Sequence, residues 1–216
     1  MDLLETILAD LNTVKDSKTQ TYRDIAKAYK KKLNALPMRS VYDLCEALLK
    51  QRHHPTTIIA YQMIFDQNQR YDENTYLIFE DWTFKYIRDW WDCDDFMTHA
   101  FQTLIMRYPE KIKQLKSWVH HDQFAVRRSA AVILIVPAKK GLLESKIIFE
   151  ICDLLRDDPH YLVQKGFGWL LKESSVQYHD AVIAYLKEHV HQMTRTAFRY
   201  ALEKLPKAEK DCLMKL

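Results

Sequence analysis

Along this chain apolar residues return every three or four positions: Leu3, Leu4, Ile7, Leu8 and Leu11 open the sequence, and Val41, Leu44, Cys45, Leu48 and Leu49 repeat the pattern. That spacing lays one apolar stripe along a helix, and the alternation that a half-buried strand needs is missing. Pro37, Pro55, Pro109, Pro137, Pro159 and Pro206 punctuate the pattern, and Asp72, Asp92, Asp122 and Asp158 stand where helix N-caps are expected. The segments between these marks predict roughly a dozen helices of about 10 to 18 residues. Three glycines and six prolines suit short helix connections better than the many turns of a β protein. The fold class expected is all-α.

The helical segments resemble one another. Ala60-Tyr61-Gln62 returns as Ala100-Phe101-Gln102 after 40 residues, and Val126 to Leu134 returns as Val163 to Leu171 after 37. A looser echo sets Phe198-Arg199-Tyr200 against Phe167-Gly168-Trp169, 31 residues earlier. Degenerate periods of this size, each long enough for two helices, are the mark of HEAT-like solenoids. The expectation is one domain over residues 1–216, a curved stack of antiparallel helix pairs whose second helices line a concave face. Those second helices carry Trp91 and Asp95, then Arg127 and Arg128, then Lys165, Trp169 and Lys172. The concave face is therefore expected to be aromatic and basic, with one acidic island.

Composition narrows the class without deciding it. At 216 residues, 48% hydrophobic and 28% charged, the chain has the makeup of a globular protein able to bury a core. No apolar run approaches the roughly 20 residues of a membrane span, and the expected setting is cytoplasmic. Cys45, Cys93, Cys152 and Cys212 are scattered, with no paired spacing for zinc or a disulfide framework, and are expected to be buried thiols. The adjacent His53-His54 and His120-His121 cannot both face one metal from one helix, so no metal site is expected. A net charge of +3 is too mild to argue for nucleic acid by itself, so the placement of the cations matters more than their number.

Each candidate residue has a plain structural reading beside a functional one. With Asp92 as cap, Asp95 falls at the third helical position; it either favours the helix dipole or shares a face with Trp91, four residues before it. Arg127-Arg128 precedes the apolar run Ala130 to Val136 and is either a solvated pair or a phosphate clamp. Gly166 and Gly168 each cost a helix about 1 kcal/mol relative to Ala. They mark either close helix packing or room for Trp169 and Lys172 to meet a bound strand.

Taken together these motifs resemble the DNA-alkylation-repair family, the AlkD-like HEAT-repeat DNA glycosylases, most strongly from about residue 72 to 174. The resemblance implies that Trp91 and Asp95 match the family's tryptophan-aspartate pair, Arg128 its arginine, and Trp169 its second tryptophan. It further implies hydrolysis of the N-glycosidic bond of N3- and N7-alkylated purines, with Asp95 stabilising the sugar cation and Trp91 and Trp169 against the deoxyribose and backbone. Arg127, Arg128, Trp90, Lys165 and Lys172 would hold double-stranded DNA, with no cofactor, no metal and a monomeric protein. The family's lesion-side second helix ends in an aromatic-glycine turn, and here Tyr22 to Pro37 contains no glycine. In this the chain resembles a divergent branch that lacks the second, substrate-recognition helix and does not excise alkylated bases. The function expected is duplex binding with weak or no excision; the alternative is an active alkylpurine glycosylase.

Overall fold

A computed structural model describes residues 2–14 and 17–216, and every regular element among them is helical. Chain contacts divide it into two compact units, Met1–Ile87 with His99–Leu104, and Arg88–Thr98 with Ile105–Leu216.

The first unit holds α1 (Leu3–Asn12), α2 (Thr19–Ala28), α3 (Lys30–Asn34), α4 (Met38–Lys50), α5 (His54–Asp66) and α6 (Glu73–Tyr86). Its centre is α5, in which Thr56 through Ile64 are all buried. A helix covered on all sides must lie inside, and α5 does so by packing on α2 and α4. Asp72 starts α6 with a capping box to Thr75, as its position in the sequence predicts. Phe79 then joins an aromatic cluster, with ring centroids 5.2 Å from Tyr71, 5.4 Å from Phe101 and 5.7 Å from Trp82. Ala60 and Ala100, partners in the 40-residue repeat, are both fully buried. The stretch from Tyr22 to Pro37 is helical, with α2 passing into α3 at Tyr29.

In the second unit α7 (Trp90–Phe96) is followed by a π-helical turn over Met97–Phe101 and by α8 (Gln102–Arg107), which run on from one unit into the other. Next come a 3-10 segment at Pro109–Gln114, α9 (Leu115–Trp118), α10 (Phe124–Val132), α11 (Ile135–Lys139), α12 (Ser145–Leu155) and α13 (Tyr161–Ser174). The chain ends with α14 (His179–His189), α15 (Arg195–Ala201), a 3-10 turn at Leu202–Lys204 and α16 (Lys207–Leu213). Four helices form one layer in chain order: α7 packs on α10, α10 on α13, and α13 on α15. Behind them α9 packs on α10, α12 on both α10 and α13, and α14 on α13. This is the helix-pair stacking that the 37-residue repeat predicts, with Val126 of α10 and Val163 of α13 both fully buried.

Several boundaries differ from the sequence reading, each for a local reason. Asp89, not Asp92, caps α7; Asp92 is the third residue of the helix and returns a hydrogen bond to the Asp89 N–H at 3.0 Å. Asp122 and Asp158 do not cap either, since Gln123 and His160 occupy those positions in α10 and α13. Pro137 lies buried inside α11 instead of ending a helix. Cys45, Cys93 and Cys152 are buried, but Cys212, in the last helix, is exposed.

Candidate functional site

The four-helix layer of the second unit surrounds a half-open cleft of about 460 Å³. α7 contributes Trp90 and Asp94, α10 contributes Arg128, α13 contributes Tyr161, Leu162, Lys165, Trp169 and Lys172, and α15 contributes Tyr200. Of the candidate site residues, Trp90, Arg128, Lys165, Trp169 and Lys172 line this cleft.

Trp91 and Asp95 are not among the lining residues. The face of α7 is fixed by Cys93, Phe96 and Met97, all fully buried. At about 100° per residue, Trp90 and Asp94 emerge beside that buried stripe, whereas Trp91 and Asp95 lie one further step around the helix. Both are half-buried. The i, i+4 tryptophan-aspartate spacing is therefore present on the cleft, but carried by Trp90 and Asp94, one residue earlier than expected.

Arg128 and Asp94 are the polar centre of the cleft. The guanidinium meets the carboxylate as a fork, Nε donating to Oδ1 and Nη2 to Oδ2, both at 2.9 Å. Its Nη1 donates to the Leu162 carbonyl at 2.5 Å. The Arg128 side chain is only 6% exposed and that of Asp94 22%. Burial pushes the Asp94 carboxyl above the ordinary carboxylate range, and the hydrogen bonds and charge of Arg128 oppose the shift. Such a pair costs much to desolvate and more to break, because the partner left behind would be a buried lone charge.

Gly166 supplies the room for this fork. A Cβ there would sit 3.2 Å from Arg128 Cγ and 3.3 Å from Nη1. At Gly168 a Cβ would lie 2.7 Å from the Ala197 carbonyl oxygen and 2.9 Å from Tyr200 Cβ, so this glycine lets α13 and α15 touch backbone to backbone. The two glycines thus serve packing within the layer, the first around an arginine and the second around a helix.

The remaining lining is aromatic and cationic. Lys165 Nζ lies 5.4 Å from the Tyr161 ring centroid and 5.7 Å from that of Tyr200, within cation–π range. Lys172 Nζ is 5.9 Å from the Tyr200 ring and also pairs with Glu203. Trp90 is 49% exposed and Tyr161 59%.

Arg127 goes elsewhere. Its guanidinium binds the Asp158 carboxylate at 2.5 and 3.2 Å and the carbonyls of His121 and Asp122 at 2.8 and 2.9 Å. Asp158 also accepts from the His160 N–H at 2.8 Å, so Arg127 pins the loop that leads into α13. Of the adjacent arginines, Arg128 alone lines the cleft.

Asp94, Tyr161, Leu162 and Tyr200 were not anticipated. A signal for Tyr200 was present: the 31-residue echo sets it in register with Trp169, just as the 37-residue repeat sets Lys165 in register with Arg128. For Asp94 the signal was the apolar trio at 93, 96 and 97, which orients α7 better than its assumed cap.

The family model described as DNA alkylation repair enzyme matches residues 17–205. The chain belongs to that family. A solved structure described as a predicted DNA alkylation repair enzyme from Enterococcus faecalis superimposes with a TM-score of 0.78 at 17% identity, over 88% of this chain and 87% of that one. At that identity the likeness shows a shared all-helical fold. No curated protein matches the chain. No helix among the described residues is long and apolar enough to cross a membrane.

Proposed function

We propose that this member of the DNA alkylation repair family binds double-stranded DNA through the cleft of its second unit, with little or no excision of alkylated purines. The observation that carries the reading is the pairing of Asp94. Both carboxylate oxygens are taken by Arg128, which cancels the charge that would otherwise face a developing sugar cation. Lys165, set beside ring faces, then leaves the lining positive, whereas Lys172 is paired with Glu203. A cationic, aromatic surface suits a polyanion, whereas stabilising an oxocarbenium-like transition state calls for an uncompensated carboxylate. Phosphates would be held by the ammonium groups, with the rings of Trp90, Tyr161 and Trp169 against sugar and base.

One arrangement favours the alternative, an active alkylpurine glycosylase. Trp90 and Asp94, four residues apart, line the same cleft as Trp169. This is the aromatic-carboxylate set that the family resemblance implies, moved back by one residue from Trp91 and Asp95. A glycosylase assay on duplex containing N7-methylguanine separates the two. Base release at the uncatalysed rate, unchanged by Asp94→Asn, is expected. Robust release that falls on the order of 100-fold in Asp94→Asn would establish the glycosylase instead.

A further inference from the structure

One strongly charged stretch has no part in the cleft. Residues 107–116 carry Arg107, Lys111, Lys113 and Lys116 against Glu110 alone, a net of +3 and as much as the whole chain carries. A run of this kind is ordinarily a solvated face, yet here it borders a hollow. Pro109 opens the 3-10 segment Pro109–Gln114, which passes into α9. With three residues per turn, Ile112 faces inward and is buried, while Lys113 and Lys116 fall on one exposed edge.

Ile112 lines a trough of about 260 Å³ together with Ile147 and Ile151 of α12. Glu110, Lys113 and Lys116 of the cationic stretch and Glu150 of α12 supply its polar lip. None of these residues lines the cleft, and α9 and α12 stand behind the layer that does. Lys116 Nζ meets the Glu150 carboxylate at 2.8 Å. That hydrogen bond, with the charges of Lys116 and Lys146, holds the Glu150 carboxyl below the ordinary carboxylate range, which sets both ammonium groups at this wall. Among the described residues Lys113 and Lys146 form no ion pair, so three ammonium groups face two carboxylates.

Size and charge together select an occupant. A volume of 260 Å³ falls short of the roughly 300 to 1,000 Å³ that enclose a whole small ligand. It is enough for one large apolar side chain. An apolar anchor seated in a hollow with a charged rim is how small protein interfaces obtain affinity and register. The unpaired ammonium groups ask for carboxylates on either side of that anchor.

We infer that this trough docks an acidic peptide segment of a partner protein, with a Leu or Phe side chain against Ile112, Ile147 and Ile151 and flanking carboxylates on Lys113 and Lys146. The inference does not rest on the proposed DNA binding, since the two surfaces share no residue. It leaves a face open to a protein partner while the cleft is occupied.

The test uses the full chain and a fluorescein-labelled peptide, Glu-Asp-Leu-Phe-Glu-Asp, followed by fluorescence anisotropy. One anchor and a few rim charges are expected to give a Kd on the order of 10 to 100 μM, weakening as salt is raised. Exchanging the peptide's Leu-Phe for two alanines is expected to cost about tenfold or more, and exchanging its acids for lysines to abolish binding. Lys113→Glu alters an exposed side chain and is expected to weaken binding several-fold. Ile147→Gln places an amide in the trough and is expected to cost about tenfold. In the double variant Lys113→Glu with Lys146→Glu, the lysine peptide is expected to bind in place of the acidic one, an exchange that a misfolded protein could not produce. Saturating intact duplex is expected to leave the acidic peptide in place. Failure of that peptide to bind, or equal binding of its alanine form, would overturn the docking site while leaving DNA binding standing. Displacement of the peptide by duplex would also overturn it, since the lysines would then belong to a DNA-binding surface.

Discussion

At the scale of single residues, Gly168 makes the sharpest prediction. By helix propensity alone Gly168→Ala should stabilise α13 by about 1 kcal/mol. The added methyl would instead press on the Ala197 carbonyl at 2.7 Å, and backbone cannot yield as a side chain can. Overpacking of this kind typically costs about 1 to 3 kcal/mol, so chemical denaturation should show a net loss of stability. Gly166→Ala meets the flexible stem of Arg128 at 3.2 Å and should cost less, at the expense of the fork with Asp94. The value of both glycines was legible as a cost inside a helix, but not the beneficiary of that cost, because the contacts come from α10 and α15. The same limit explains α7. A tryptophan-aspartate pair four apart could be read from the chain, but two overlapping pairs, Trp90 with Asp94 and Trp91 with Asp95, satisfy that spacing equally. Only the burial of Cys93, Phe96 and Met97 chooses between them. Adjacent arginines posed a similar choice, resolved by two different carboxylates, Asp158 for Arg127 and Asp94 for Arg128.

At the scale of elements, the repeats and apolar periods foretold the helix order well, because stacked pairs need the same buried positions in each copy. Boundaries were less legible, since caps compete: Asp89 and Asp92 are both good cap residues, and the helix takes the earlier one because Asp92 can then close the reciprocal hydrogen bond. The last element offers a pH-dependent contact. His179, first residue of α14, meets Asp180 at 2.9 Å and Glu209 of α16 at 2.8 Å. Hydrogen bonds to these carboxylates, that to Asp180 first, raise its pKa above the ordinary histidine value against the opposing effect of desolvation. A histidine pKa raised by folding contributes stability that is fully present below the unfolded value and is lost as pH rises through the folded one. Protection of the α16 amides against hydrogen exchange, corrected for intrinsic rates, should therefore fall over an interval that begins near the ordinary histidine value of about 6.5 and runs upward from it. His179→Gln should remove that dependence; a wild-type profile flat across the interval would show that the pair contributes nothing to docking α16.

At the scale of the whole molecule, a net charge of +3 gives little general attraction for DNA, so binding must come from where the cations are gathered. Several of the ion pairs are local and neutral in sum, as between Lys85 and Asp81 or Arg39 and Asp43. Lys165 differs in having ring faces as its neighbours at the cleft. This changes which substitution reports on phosphate contact. Arg128→Ala would strip Asp94 of its partner and leave a buried carboxylate, a loss of about 3 to 5 kcal/mol in stability that would obscure any effect on binding. Lys165→Ala removes a charge with no buried partner and should leave folding nearly intact. If the cleft holds DNA as proposed, affinity for duplex should drop steeply as salt is raised, with a slope of about 0.9 per phosphate contact. In Lys165→Ala the slope should flatten by about one such contact, equally for unrelated sequences, because a phosphate carries no sequence information. Titrations from low to moderate salt by fluorescence anisotropy decide the matter. A slope near zero in the wild type, or one that Lys165→Ala leaves unchanged, would mean that the lysine does not reach the backbone and that the aromatic lining holds its ligand without it.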